Sequence, residues 1–232
     1  MTILQVVQGA ATKLGIDVPT LVYGSTTREM VEMQELANEM ARRIAEANDW
    51  QRLKLVKQYD GDGVTGDPIG FDLPSDYDRM LVTASIWSSE WTWNLNHILD
   101  SDQWLEMQVV PFTFIYGNWM IYGGQYHQLP IMPVGANVKF FYISNLIVQA
   151  TDLSTKTAFT ADTDSFLLDE HLLKLGIVWQ WKASKGYPYA EDMANYEKRM
   201  SQVLQQDMGS KPIISGRPRH NWWWPGSARG VV

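Results

Sequence analysis

Apolar residues recur at helical spacing in several stretches of this chain. In the clearest, residues 163–204, Leu168, Leu172, Leu175 and Trp179 follow at steps of four, three and four, which places them on one face of a helix. Gly186 suits the left-handed residue just past a helix end, and Pro188 cannot continue that helix but can open the next. Met193, Tyr196, Met200 and Val203 then return to a single face, so the stretch predicts a helical hairpin with two apolar stripes. Two helices cannot bury both stripes alone. Residues 28–48 supply a third: Met30, Met33, Ala37, Met40 and Ile44 keep a three-four rhythm, while Arg28, Glu32, Glu39, Arg42 and Arg43 lie off it. Ala37, Ala41 and Ala45 would let another helix approach closely. Thr26 or Thr27 is placed to cap this helix, with Glu29 and Glu32 in its first turns, where the helix dipole favours anions. Asn48-Asp49-Trp50 ends it, with Trp50 packing back on the helices. A weaker pattern over 2–14 aligns Ile3, Val6, Val7, Ala10 and Leu14, and Gly15 stops it.

Between Leu53 and about Val148 the pattern changes to short β-branched and aromatic runs broken by Gly, Pro and Asp. Leu53–Tyr59 alternates as a strand does. Residues 81–93 predict a strand followed by a Trp-bearing loop, and 119–122, 128–132 and 138–144 predict three more strands. Gly123-Gly124 and Pro133-Val134-Gly135 separate these at hairpin-like spacing. Thr151 to Asp164 is a polar connector. After Met208 periodicity ends, and Gly209, Pro212, Gly216, Pro218, Pro225, Gly226 and Gly230 preclude a helix or long strand. The expected architecture is α+β: a discontinuous helical bundle (1–52 and 160–208), an inserted antiparallel β-rich domain (53–159) and an extended C-terminal arm (209–232).

Composition narrows the function. The 232 residues are 45% apolar, enough for a sizeable core, and the net charge is −7, which argues against a sequence-independent DNA binder. Charge is uneven: beyond Asp207 there is no acid, while Lys211, Arg217, Arg219 and Arg229 are basic. The absence of cysteine removes disulfides, thiol catalysis and zinc–thiolate sites, and is in keeping with assembly in a reducing cytoplasm. No secretion signal is visible, and no run reaches the ~20 apolar residues that a membrane span requires.

The candidate chemistry is thin. Histidines stand at 97, 127, 171 and 220; His171 follows Asp169-Glu170 but lacks the second His of a metalloprotease helix, and reads as a solvated helix residue. Asp60, Asp62 and Asp67 sit in a Gly-rich loop, yet an EF-hand counted from Asp60 would have Thr65 and Phe71 where Gly and Glu are needed, so a solvated turn fits better. The pairs Asp76/Asp78 and Asp100/Asp102 have no neighbouring group that would assign acid–base roles. No Gly-rich phosphate loop or nucleophile elbow is present. Neither a cofactor nor a metal is therefore expected. The unusual feature is Trp222-Trp223-Trp224, set among Arg217, Arg219 and Arg229 in the arm. Three indoles left in water would invite aggregation, so the arm is expected to dock on another protein surface.

Four segments together resemble a family. They are Asn48-Asp49-Trp50-Gln51-x-Leu53; Leu73-Pro74-Ser75-Asp76-Tyr77-Asp78-Arg79-Met80; Asp169-Glu170-x-Leu172-Leu173-x-Leu175-Gly176-Ile177-x-Trp179-x-Trp181-Lys182; and Lys185-Gly186-Tyr187-Pro188-Tyr189-Ala190-Glu191-Asp192. In this order they resemble the head-to-tail adaptor proteins of short-tailed bacteriophages, over residues 2 to 207. The resemblance implies a virion protein at the neck, assembled in the host cytoplasm. It implies a dodecameric ring between portal and tail nozzle, with DNA passing through its lumen unread during genome ejection. It also implies termini that contact neighbours or the portal. An acidic lumen would repel phosphate and let DNA slide. Two other classes stand beside it. One is a carbohydrate-binding or glycan-degrading virion protein, with Trp87, Trp91, Trp93 and Trp119 lining a cleft near Asp100 and Asp102. The other is a DNA-binding regulator, which the acidic balance disfavours.

Overall fold

A computed structural model describes residues 1–81, 85–91, 93–110 and 115–207. The chain is mixed α and β, and the described residues form five α-helices and mainly antiparallel sheets. The helices are α1 (Ile3–Leu14), α2 (Arg28–Glu46), α3 (Ser101–Val109), α4 (Glu170–Ser184) and α5 (Ala190–Asp207). Four of them share one core, in which α4 packs against α1, α2 and α5.

Local chemistry explains each helix end. Thr2 and Gln5 form a reciprocal capping box on α1, so the weak segment has a well-satisfied start. Thr27 occupies the cap position of α2 but makes no side-chain cap bond; its hydroxyl faces that of Ser25 instead. The Asp169 carboxylate accepts the Leu172 amide at 2.6 Å and so caps α4. At the far end of α4, Gly186 adopts φ 73° as its position predicts, and the Gly186 and Tyr187 amides bond the Ala183 and Lys182 carbonyls, the paired pattern of a left-handed helix stop.

The apolar stripe of α2 is buried as its rhythm predicts, with Ala41 and Ala45 added to it. Helix α4 is broader than its expected stripe. Leu172, Leu173, Leu175, Gly176, Ile177, Val178 and Trp181 are all buried, while Leu168 and Trp179 are only partly so. This helix has partners on most sides, and a four-residue stripe understates it. Trp50 is 2% exposed and donates its indole N–H to the Ile44 carbonyl at 2.7 Å, closing the end of α2.

The strands are β1 (Lys54–Asp60), β2 (Phe71–Asp72), β3 (Tyr77–Met80), β4 (Trp87–Ser88), β5 (Trp93–Asn94), β6 (Asn96–His97), β7 (Asn118–Tyr122), β8 (Gln125–Leu129), β9 (Asn137–Ser144), β10 (Val148–Gln149), β11 (Thr155–Lys156) and β12 (Ser165–Phe166). Strand β9 pairs with β1 on one side and with β3 and β4 on the other, and β4 pairs with β5. A second sheet runs β2-β8-β7-β6, with β6 parallel to β7. The two sheets face each other across an aromatic core: Tyr59, Val138, Phe140 and Tyr142 from the first meet Phe71, Trp119, Ile121 and Tyr126 from the second. Within it the rings of Tyr59 and Phe71 stack at 4.9 Å, and those of Tyr126 and Phe140 at 6.0 Å.

Three expectations are corrected. The strand expected at 128–132 lies at Gln125–Leu129 and stops before Pro130, which has no amide to give a ladder. The β-rich stretch also holds a helix that no periodicity announced: Asp100 and Asp102 stand at the start of α3, where the Asp100 carboxylate accepts the Asp102 amide at 3.0 Å. The polar connector 151–164 contains β11 and two working carboxylates. Asp162 accepts the Val22 and Tyr23 amides. Asp164, buried, accepts the Thr160 and Ala161 amides and the Lys156 ammonium. A small sheet, β11-β10-β12, carries Val148 and Phe166 into the helical core, together with Ile143, Ile147 and Phe159.

Candidate interaction surface

The residues that carry the resemblance lie at joints between elements. Arg79 on β3 donates to the Asn48 carbonyl (3.0 Å) and the Asp49 carboxylate (3.3 Å) past the end of α2, and to Asp78 (2.6 Å). The first two segments therefore meet across the seam between helices and sheet, beside a cavity of about 430 Å³ that Arg42, Glu46, Asp78 and Arg79 help to line. Asp76 accepts the Tyr142 hydroxyl at 3.0 Å; burial and then this carboxylate push the phenol up to about 12. Asp169 both caps α4 and binds Arg199 of α5 at 2.6 Å. Asp192 at the start of α5 takes Lys13 of α1 at 2.7 Å and Lys182 of α4 at 2.6 Å. Burial pushes the Asp192 carboxyl up, but the two ammonium groups outweigh it and hold the acid below its ordinary range.

The acidic loop reads as a turn. Asp62 accepts the Thr65 hydroxyl and the Thr65 and Val64 amides, which bring its pKa down to about 2. Asp67 does something the sequence did not suggest. Its carboxylate accepts the Tyr122 hydroxyl at 2.5 Å and the Gln108 amide, and lies 3.2 Å from His127 Nδ1, close enough for an ionic contact but off hydrogen-bond alignment. The His127 ring stacks on Tyr122 at 3.7 Å and is 2% exposed; burial, opposed by Asp67, pulls its pKa down. A buried Asp–His pair suggests acid–base chemistry, but here both partners are sealed. They clamp loop 61–70 and α3 onto the β7–β8 hairpin. His171 is exposed on α4, as expected.

The tryptophans proposed for a sugar cleft separate. Trp119 is buried and lies flat on His97 at 3.9 Å, and Trp91 packs against the aromatic core. Trp87 and Trp93, each 55% exposed, pair with Asn94 and Ser88, a register that puts them on opposite faces of the sheet. The Asp100 carboxylate is spent on its own helix.

An open apolar surface lies instead on the outer face of the five-stranded sheet. Pairing of Val56 with Phe141, and of Gln58 and Trp87 with Lys139, sets these residues side by side. Val56, Trp87 and Phe141 are each more than half exposed, and with Leu81 and Lys139 they line a groove of about 500 Å³. The arm residues Arg217, Arg219, Trp222, Trp223, Trp224 and Arg229 lie outside the described residues. The Asp207 carboxylate, at the end of α5, accepts the Gln51 amide at 3.0 Å, which puts the end of α5 beside the helix–sheet seam and the first residues of β1. Among the described residues no helix is long and apolar enough to cross a membrane. No protein-family model matches the chain, and no curated protein matches it either.

Proposed function

We propose that this chain is a structural virion protein: a head-to-tail adaptor that forms a ring, of twelve copies as the resemblance implies, joining the portal to the tail nozzle of a short-tailed bacteriophage. Its fold is read as a helical bundle with an inserted β domain and an extended C-terminal arm. One observation carries the proposal. The segments that resemble the family all take part in locking elements together, through Arg79 across the seam and through Asp169 and Asp192 across α4, α5 and α1. Their polar groups are engaged in holding shape, which suits a scaffold.

Charge supports the same reading. Four of the nineteen basic residues follow Asp207, so the first 207 residues carry fifteen against twenty-six acids, a net −11. A lumen lined by so acidic a body would repel DNA phosphate and let a duplex pass without sticking. The arm has the opposite sign and three adjacent indoles, the composition of a segment that orders on a partner, here the portal. The carbohydrate-binding alternative is favoured by no comparable grouping, since its tryptophans diverge and Asp100 caps a helix.

Deleting residues 209–232 tests the reading. The truncated chain is expected to keep the circular dichroism and melting profile of the full chain but to lose stable attachment to purified portal rings in sedimentation. Normal attachment by the truncated chain would overturn the role given to the arm.

A further inference from the structure

A second apolar surface lies on the other side of the β sandwich. Helix α3 covers the outer face of the four-stranded sheet: Trp104 is 2% exposed and meets the Tyr122 ring edge-on, and Gln108 binds Asp67. Residues 104, 107 and 108 thus face inward. The opposite side presents Asp102, Leu105, Glu106 and Val109, at the i, i+3, i+4, i+7 spacing of a docking helix. Leu105 is 55% and Val109 81% exposed, and neither Asp102 nor Glu106 makes an ion pair among the described residues.

The layers therefore run from α3 through the four-stranded sheet and the aromatic core to the five-stranded sheet and its open groove. The α3 ridge is apolar and acidic. The groove is apolar and basic: Lys139 stands between Gln58 and Trp87, Lys54 shares the same face two residues before Val56, and neither lysine is ion-paired among the described residues. Asp60, on the same face of β1, accepts the Gln58 side-chain amide at 2.6 Å.

We propose that the outer ridge of α3 in one copy seats in the sheet groove of the next. Leu105 and Val109 pack on Val56, Trp87 and Phe141, and Glu106 faces Lys139. The occupant is a second copy of this chain, because the chain itself carries both halves of a match in polarity and charge. A contact between two different patches is head-to-tail: it propagates from copy to copy and closes into a ring when the rotation allows. The inference rests on the ring-forming reading and names the surfaces that build the ring.

The chain has no cysteine, so paired substitutions report the contact directly. The full chain carrying Val109→Cys and Val56→Cys, oxidised at high concentration, is expected to give a ladder of covalent multimers. The pair Val109→Cys with Leu153→Cys, whose second site lies on the exposed turn between β10 and β11, is expected to give no such ladder. Lys139→Glu or Glu106→Lys alone should weaken association about tenfold, and an equimolar mixture of the two should restore it, since each supplies the complement the other lacks. Failure of the mixture to recover would overturn the charge pairing. Multimers seen by light scattering without a ladder would overturn this choice of surfaces and leave the ring reading standing. A chain that neither associates nor cross-links at millimolar concentration would overturn the proposed contact, while arm deletion tests the portal role separately.

Discussion

Asp192 holds two cations on one carboxylate, and that geometry makes a pH-dependent statement about stability. Its side chain is 11% exposed, and Lys13 and Lys182 approach from two other helices. The folded carboxyl titrates below its unfolded value, so its contribution is fully present above the unfolded pKa, near 4. It fades as pH falls through the lower folded pKa. Replacing Asp192 by Asn removes the charge and leaves two ammonium groups facing each other, which should cost about 2 kcal/mol at neutral pH. Urea unfolding of the two proteins at descending pH checks this: the gap in midpoint should be constant from neutrality to about pH 5 and close below it. A gap that does not change with pH would mean that Asp192 contributes by packing rather than by charge.

At the level of elements, α4 organises the helices, and Gly176 sets how closely α2 can approach it. A Cβ placed at Gly176 would lie 2.6 Å from Met40 Cε and 3.4 Å from Tyr196 Cε2. The methionine end can move, and alanine gains about 1 kcal/mol of helix propensity, so Gly176→Ala should be close to neutral. Gly176→Leu has no such escape and should cost about 2–3 kcal/mol by overpacking, read as a lower thermal midpoint with α2 pushed outward. These helices were legible because their stripes face a core, and periodicity registers burial. Helix α3 was not, because Leu105 and Val109 point outward and only Trp104 is fully buried inward; the remaining signal was the cap Asp100 with Gln103 three residues on. The exposed groove was illegible for a different reason. Val56, Trp87 and Phe141 come from separate strands, and which alternate residue faces out depends on a register that local sequence does not encode. The Asp67 clamp and the Asp162 and Asp164 anchors join distant segments and leave no local pattern at all.

For the whole molecule, the question is whether helices and sandwich behave as one body. Strand β9 serves both cores: Val138, Phe140 and Tyr142 enter the aromatic core, while Ile143, one residue on, enters the helical one. Arg79 ties the same region from outside, bridging the end of α2 to β3. Its side chain is 31% exposed, so the ion pairs add only about 1 kcal/mol to stability. Their greater effect is on coupling, because the guanidinium fork bridges the end of α2 to β3 across the seam where β9 passes from one core to the other. Arg79→Ala is therefore expected to lower the midpoint slightly but to split the melt. Trp50 reports the helical core and Trp119 the sandwich, so fluorescence of variants retaining one or the other indole should show separated transitions, with the van't Hoff enthalpy falling below the calorimetric one. Arg79→Lys should not restore coincidence, since one ammonium cannot span the Asn48 carbonyl and both carboxylates. Coincident transitions in Arg79→Ala would place the coupling in β9 itself. A rigid angle matters for a ring, because each copy presents α3 and the groove through the sandwich, and play at the seam would spread the rotation that closes the circle.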